Sequence, residues 1–160
     1  MRMKRHLLAV VAALVPAVGT AQLTPSADNH QHLFSARLDM AIDGRGFFQI
    51  LQPDGTTSYT RDGTFHLDSN GQIVNASGFA LEPAIIIPND AQTFTVGRDG
   101  TVSITIAGNP ASQVIGNLQT ADFINPAGLQ AVGNNLFMET AASGAPQVGT
   151  PGLNGFGTTL

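Results

Sequence analysis

Short runs of alternating apolar and polar residues recur along the middle of the chain, and each ends at a glycine-containing turn. Thr101–Ile106 is the clearest run, because Val102, Ile104 and Ile106 alternate with hydroxyl-bearing residues. Strict alternation places the apolar side chains on one face of a β-strand and the polar ones on the other. The pattern therefore predicts an all-β fold built from half-buried strands.

A train of Asx-Gly pairs marks the turns between these runs. An Asx-Gly pair supplies two residues that tolerate positive φ, as a type I′ hairpin turn requires. A spacing of roughly eight to eleven residues is typical of a meander, sandwich or barrel. We predict a single domain of short antiparallel strands joined by Asx-Gly hairpins, arranged as a sandwich or a partly open barrel. The pairs are Asp43-Gly44, Asp54-Gly55, Asp62-Gly63 and Asn70-Gly71, followed by Ser77-Gly78.

Individual elements follow from the same pattern. Pro83 and Pro88 bracket a β-branched run, residues 84–87, which we expect to be buried because proline is tolerated at strand ends. Residues 113–118 and 120–124 predict a strand pair or one bent strand, and residues 127–132 a helical turn. The other predicted strands are residues 47–50, 57–60, 64–67, 72–74, 79–81, 93–96, 101–106 and 136–138.

The first residues have the composition of a secretory signal. Residues 1–6 are basic, residues 7–18 form an apolar run too short to span a bilayer comfortably, and Ala21 ends a small-residue cleavage site. The mature protein is then expected to be periplasmic or otherwise exported, and an uncleaved membrane anchor is the alternative. The predicted organisation is a signal peptide at 1–21, a flexible lead at 22–37, a β domain at 38–140 and a Gly/Ser/Pro-rich extended tail at 141–160.

Charge and cysteine content exclude several classes of function. Charged residues make up 11% of the chain, well below the roughly 25% of an ordinary soluble domain. Cleavage after Ala21 leaves four arginines against eleven acidic residues, a net charge of −7, and no lysine. A nucleic-acid surface needs clustered cations, so nucleic acid is not an expected partner. The absence of cysteine removes disulfides, thiol catalysis and thiolate metal sites.

A few side-chain groups offer chemistry, although each has a simpler structural explanation. His30 and His32 with Asp28 form a loose metal-binding pattern in a polar lead. His66 and Asp68 share one strand face. With Ser58 or Tyr59 across a hairpin, they would form a hydrolase-like arrangement.

Two loop patterns are even weaker evidence for a ligand site. Residues 68–71 resemble part of a calcium loop without its later carboxylate. Gly44-x-Gly46 follows no βα unit, so it does not indicate a nucleotide loop. We predict no catalytic residue, no cofactor, no metal ion and no small-molecule substrate.

Several ordered stretches carry a family resemblance. From about residue 38 to residue 157 the chain resembles the flagellar rod and hook protein family, most strongly the members that form the distal rod. The resemblance implies a non-enzymatic structural protein of the flagellar basal body whose β domain forms an outer layer. The stretches are AIDGRGFFQI at 41–50, DGTTSYTRDGTFHLDSNGQIV at 54–74, GFALEP at 78–83, VGRDGTVSI at 96–104, ADFINPAGLQAVGNNLFMET at 121–140 and SGAPQVGTPGLNGFG at 143–157.

The family's terminal helices have no counterpart in the sequence pattern. A signal-like segment occupies the place of the N-terminal helix, and no helical pattern follows the last family-like stretch before Leu160. We therefore expect the family's β domain alone, acting through contacts with other rod, hook or bushing proteins. The alternatives are a periplasmic binding module that reuses the fold outside the flagellum, and a degenerate fragment of a rod protein. A membrane contact is expected only through an uncleaved signal.

Three residues are predicted to make subunit contacts. Arg45 and Arg61 carry two of the four mature cations, and each flanks an Asx-Gly turn. Each arginine could pair with Asp43 or Asp62, or contact an acidic patch on a neighbouring protein. Phe47 adds an apolar side chain beside them.

Overall fold

The computed structural model describes residues 37–153 and 155–159, which form three antiparallel sheets. The predicted signal and residues 22–36 of the predicted lead lie outside the described residues. Within the described residues the helical content is a 3₁₀ turn at Pro126–Gly128, and no helix there is long and apolar enough to cross a bilayer. The strands are β1 (Leu38–Asp39), β2 (Ile42–Asp43), β3 (Phe47–Leu51), β4 (Thr57–Thr60), β5 (Thr64–Leu67), β6 (Ile73–Asn75), β7 (Ala80–Glu82), β8 (Ala91–Val96), β9 (Thr101–Ile106), β10 (Asn109–Asn117), β11 (Thr120–Asp122), β12 (Gln130–Gly133), β13 (Leu136–Met138), β14 (Gln147–Gly149) and β15 (Thr158–Thr159).

The largest sheet has ten strands and is not closed into a barrel. Its main path runs β1-β5-β6-β7-β3-β4-β13-β12, and β11 pairs with both β3 and β14. A second sheet has the order β10-β9-β8, and β2 pairs with β15 to form a two-stranded ribbon. The predicted all-β class with antiparallel strands is confirmed. The predicted domain boundaries stay predictions.

One apolar core joins the large sheet to the three-stranded sheet. Phe48 and Phe65 of the large sheet are fully buried and meet edge to face, with ring centres 5.3 Å apart. Val102 and Ile104 of β9 are buried in the same cluster. The alternation predicted for β9 is confirmed on these residues, since the hydroxyl residues between them are only half-buried. Period-two patterning thus selects the face that joins the two sheets.

A second, smaller cluster covers the opposite face of the large sheet. Phe47 follows the pleat of β3, so it points away from Phe48. It packs edge to face against Phe123, with 5.8 Å between the ring centres, and Phe123 in turn meets Tyr59 at 4.8 Å. Leu129 and Phe137 complete the cluster. β3 therefore carries buried or half-buried apolar side chains toward both faces of the large sheet.

Four hairpin turns share one geometry, which differs from the predicted type I′ turn. In each turn, the carbonyl of the opening residue accepts a hydrogen bond from the N–H of a glycine three positions later. The N–H of the same opening residue donates to the carbonyl of the residue that follows this glycine. The pairs of residues that open and close the turns are Gln52 and Gly55, Asp68 and Gly71, Asn75 and Gly78, and Gly97 and Gly100. Each closing glycine has φ between 78° and 84°. This is a type I turn with a left-handed glycine bulge.

The Asx residues serve these turns as hydrogen-bond acceptors. Asp68 is the clearest case, because its Oδ1 accepts the N–H groups of Asn70 and Gln72 at 2.8 and 2.9 Å. Positive φ at two consecutive residues, as type I′ requires, occurs in the described chain at Asn134 and Asn135. The type I′ prediction was wrong for the Asx-Gly pairs, because the Asx residue of each pair does not have positive φ and only the glycine, in three of the four pairs, adopts the left-handed region.

These turn carboxylates predict a loss of stability in acid. Hydrogen bonds from Thr56, Thr64, Gln72 and Thr101 lower the pKa values of Asp54, Asp62, Asp68 and Asp99, respectively, below the usual 3.8. A depressed pKa in the folded state stabilises above the unfolded pKa, and this contribution is lost as pH falls through the folded value. We expect the urea midpoint to hold from pH 7 to about 5 and to fall below about 4.

Substituting one turn aspartate tests whether these carboxylates cause the loss of stability in acid. Asp68→Asn should flatten the acid limb of the urea midpoint against pH, because the amide oxygen still accepts hydrogen bonds but does not titrate. Asp39→Asn is the matched control, since the exposed Asp39 side chain accepts no hydrogen bond from residues 37–153 or 155–159. Equal acid limbs for the two variants would contradict the assignment.

The structure corrects three local predictions. In residues 84–87, Ile85 and Ile87 are buried but Ile86 is 61% exposed, and the run contributes a single bridge to Gln72 instead of a strand. Extended backbone turns alternate side chains to opposite sides, so a β-branched run need not be buried throughout. The helical turn expected at 127–132 is the 3₁₀ turn at Pro126–Gly128 followed by β12, for which β13 supplies a partner.

The third correction concerns β10 and β11. They form neither a strand pair nor one bent strand, because β10 pairs with β9 while β11 pairs with β3 and β14. β10 also starts earlier than predicted, at Asn109, and includes Pro110. Proline is tolerated there because β10 is an edge strand.

The glycine-rich tail is extended and tied to the body. β14 pairs with β11, and β15 pairs with β2. The Gly157 N–H donates to the Arg45 carbonyl at 2.6 Å, and the Thr159 N–H to the Arg98 carbonyl at 3.2 Å. The tail therefore fixes the corner between β2 and β3 from outside.

Candidate protein-contact surface

The corner between β2 and β3 brings the three predicted contact residues together. Gly44 and Gly46 both have positive φ, at 107° and 123°, and they let the backbone reverse direction between the two strands. Arg45 lies at the apex, Phe47 opens β3, and Arg61 approaches from the end of β4. We call Arg45, Phe47 and Arg61 the arginine corner.

The Arg61 side chain binds the backbone carbonyls of the corner. Its Nη1 donates to the carbonyl oxygens of Gly44 and Gly46, both at 2.7 Å, and its Nη2 donates to that of Ile42 at 3.2 Å. The guanidinium carbon also lies 5.9 Å from the centre of the Phe47 ring, within cation–π range. The expected pairing of Arg61 with Asp43 or Asp62 is therefore not formed, because three carbonyls take the place of a carboxylate.

Arg45 makes an ion pair with a more distant strand. Its Nη2 lies 2.9 Å from Oδ2 of Asp122 on β11, and it donates to the Phe123 carbonyl at 3.3 Å. The side chain is nevertheless 64% exposed, so the pair contributes little to stability. The expected pairing of Arg45 with Asp43 or Asp62 is likewise not formed. Much of this guanidinium faces solvent.

Replacing Arg61 should measure how far the corner depends on it. Arg61→Ala is expected to lower the free energy of unfolding by about 1 to 2 kcal/mol, since it removes charge-assisted hydrogen bonds at a partly exposed site. Arg61→Lys should recover part of this, because an ammonium lacks the planar fork that spans separate carbonyls. Urea unfolding provides the measurement.

Arg98→Ala is the matched control for the Arg61 variants. The exposed Arg98 side chain makes no hydrogen bond or ion pair to the part of the chain that the structure describes, so its loss should change stability by less than about 0.5 kcal/mol. An equally small effect for Arg61→Ala would show that its carbonyl contacts do not stabilise the corner.

The residues considered for chemistry are not assembled into a catalytic arrangement. β4 and β5 are separated in the sheet by β3, β7 and β6, so Ser58 and Tyr59 do not lie across a hairpin from His66. The Ser58 hydroxyl accepts a hydrogen bond from Gln52, and the Asp68 carboxylate serves its own turn. Within residues 37–153 and 155–159, no group of three or more His, Asp or Glu side chains could hold a metal ion. The His30–His32 pattern lies outside the described residues.

Sequence reasoning missed one exposed residue beside the corner. Ile124 follows Phe123 directly and is 77% exposed, whereas Phe123 is buried in the aromatic cluster. Ile124 lies two residues beyond the end of β11, so the strand pattern did not identify it as exposed. The surface therefore combines an exposed cation with an exposed aliphatic side chain on a rigid aromatic base.

A turn-rich β domain with this surface belongs to the class of structural and interaction modules. Residues 41–104 match the flagellar hook protein FlgE/F/G D1 domain. The chain belongs to the flagellar rod and hook protein family, as its sequence resemblance implied.

Similar proteins agree with this family. The chain is 48% identical over 122 residues to the flagellar basal-body rod protein FlgG of Buchnera aphidicola subsp. Acyrthosiphon pisum, covering 76% of this chain and 47% of that protein. It is 44% identical over 141 residues to FlgG of Caulobacter vibrioides, covering 88% and 52%. The flagellar hook protein FlgE of Brucella abortus is 39% identical over 77 residues, covering 48% and 19%. The chain spans about half the length of the rod proteins it matches.

Proposed function

We propose that this protein is a non-catalytic structural module of the flagellar basal body that acts through contacts with other flagellar proteins. The observation that carries the proposal is the FlgE/F/G D1 domain at residues 41–104, together with relatives named as basal-body rod proteins.

The arginine corner, extended by Ile124, is the proposed contact surface. Protein interfaces are enriched in arginine and in large apolar side chains, and the strongest contacts lie in well-packed surroundings. Arg61 and the aromatic cluster hold the base, while Arg45 and Ile124 project into solvent. A complementary partner would present a carboxylate to Arg45 and an apolar recess to Ile124.

Export by a cleaved signal is part of the proposal. The basic and apolar segments of residues 1–21 support secretion, with the mature chain starting at Gln22. Intact-mass measurement of the protein recovered from a periplasmic fraction tests this directly. A mass that includes residues 1–21 would contradict cleavage and support an uncleaved membrane anchor.

The proposed role is tested by deletion and by binding. Deleting the gene should reduce swimming in soft agar, and the purified protein should bind at least one separately purified rod, hook or bushing protein. Ile124→Ser and Arg45→Gln should each weaken that binding about tenfold or more, in keeping with the 1–2 kcal/mol of an anchor residue. Thermal unfolding should show both variants folded.

Val114→Ser is the matched control for Ile124→Ser. Val114 is 63% exposed but lies on β10, in the separate three-stranded sheet, so its loss should leave binding unchanged. Normal swimming in the deletion strain together with no binding to any of these proteins would overturn the proposed role and favour a module outside the flagellum. Binding that neither Ile124→Ser nor Arg45→Gln weakens would overturn only the assigned surface.

A further inference from the structure

A polar cleft lies on the other side of the segment that carries Arg61. Three chain reversals converge there: the crossing from β4 to β5, the turn from β6 to β7, and the turn from β12 to β13. The cleft has a volume of about 320 Å³, at the small end of ligand sites. Its polar lining residues include Asp62, Thr64, Asn75, Ser77, Asn134 and Asn135.

Structural hydrogen bonds fix the walls of this cleft. The Asp62 carboxylate accepts the Thr64 N–H and the Asn135 side-chain amide, both at 3.0 Å. The Thr60 hydroxyl donates to the Asn135 carbonyl at 2.7 Å and ties the β12–β13 turn to β4. The cleft is therefore preorganised, which lowers the entropic cost of binding a ligand.

Several polar groups remain without a partner among the described residues. Asn75 is 92% buried, and its Oδ1 accepts the N–H groups of Ser77 and Phe79, while its Nδ2 group makes no hydrogen bond to the described residues. The Ser77 hydroxyl and the Asn134 side-chain amide make no hydrogen bond within the described chain. These groups offer both donors and acceptors.

The mixture of groups selects the chemistry of a ligand. Asp62 is the one ionisable side chain lining the cleft, so an anion would be repelled. A cation would meet the amide hydrogens of Asn75, which carry partial positive charge, whereas a hydroxyl donor can use an acceptor site that the two structural hydrogen bonds leave on the Asp62 carboxylate. A neutral molecule whose adjacent hydroxyls donate and accept hydrogen bonds matches all of these groups.

We propose that this cleft binds a neutral carbohydrate, with Asp62 as acceptor, Asn75 Nδ2 as donor, and Ser77 and Asn134 as flanking contacts. The cleft holds one or two sugar rings. No aromatic side chain lines it, so the dissociation constant is expected on the order of 1 mM. The site is separate from the arginine corner and does not depend on the proposed function.

The test is a titration of the full ¹⁵N-labelled chain followed by NMR. Glucose and the trimer of β-1,4-linked N-acetylglucosamine are the two carbohydrate probes, which separate a free sugar from a glycan chain. We expect saturable shifts of the Asn75, Asn134 and Asn135 side-chain amide signals with at least one probe. Guanidinium and inorganic phosphate at equal concentration should give no saturable shift.

Variants separate this site from nonspecific effects. Ser77→Ala and Asn134→Gly should each weaken carbohydrate binding at least threefold, and glycine keeps the left-handed backbone that Asn134 adopts, with φ of 53°. Ser112→Ala, at an exposed serine on β10 outside the cleft, should bind as the parent does. Absence of saturable shifts with both carbohydrates, shifts unaffected by the cleft variants, or saturable guanidinium or phosphate binding in the cleft would each overturn the proposal.

Discussion

Replacing Gly63 with alanine is expected to cost at least about 3 kcal/mol of unfolding free energy, or to prevent folding. A Cβ at this position would overlap the carbonyl oxygen of Met40. The two segments are also joined by a hydrogen bond from the Met40 N–H to the Gly63 carbonyl at 2.9 Å. Neither backbone can withdraw freely, because Met40 is buried in the main core. Urea unfolding of the soluble variant, or its recovery in inclusion bodies, provides the measurement.

Gly55→Ala is the control that isolates this steric effect. Gly55 has φ of 84° with no atom near the position of a Cβ, so alanine there costs only left-handed strain, about 1 to 2 kcal/mol. Gly63, by contrast, is not among the positive-φ glycines. Similar losses for the two variants would mean that close approach to Met40 does not set the requirement for glycine.

Phe48→Ala is expected to destabilise the protein by roughly 3 to 5 kcal/mol, because a fully buried phenylalanine leaves a cavity that neighbours fill only partly. Phe48 has no exposed surface and loses its edge-to-face contact with Phe65 as well. Its strand also pairs with three others, β4, β7 and β11, so relaxation by backbone shifts is restricted. The free energy of unfolding in urea measures the loss.

Leu51→Ala, at the end of the same strand, provides the comparison for Phe48. Leu51 is 40% exposed, so its truncation should cost less than about 1.5 kcal/mol. A loss at Phe48 no larger than at Leu51 would contradict the position of the core between the two sheets.

The sequence identified the residues of the arginine corner but not their partners. Arg45 and Arg61 were conspicuous because the chain has so few cations, and Phe47 because it is an apolar side chain beside them. Their actual partners lie far along the chain, such as Asp122 for Arg45, 77 positions away. Local reasoning proposed Asp43 and Asp62 because only neighbours in sequence are visible without the fold. The carbohydrate cleft was missed for the same reason, since its walls come from three separate turns.

Local chemistry determined which segments are strands and where they turn. Alternation selected the buried face of β9, and glycines after Asx residues marked the reversals, because both effects act between residues a few positions apart. The family resemblance was also present in the sequence alone.

Only the tertiary structure decided which strands are neighbours and what each turn does. Asp62-Gly63 is an Asx-Gly pair like those in the hairpin turns. It nevertheless connects β4 to β5, which lies four positions away in the sheet. Strand order depends on which apolar faces pack together over long separations, and no local pattern encodes that choice. The same packing placed Arg61 against the corner on one side of the crossing and Asp62 in the cleft on the other.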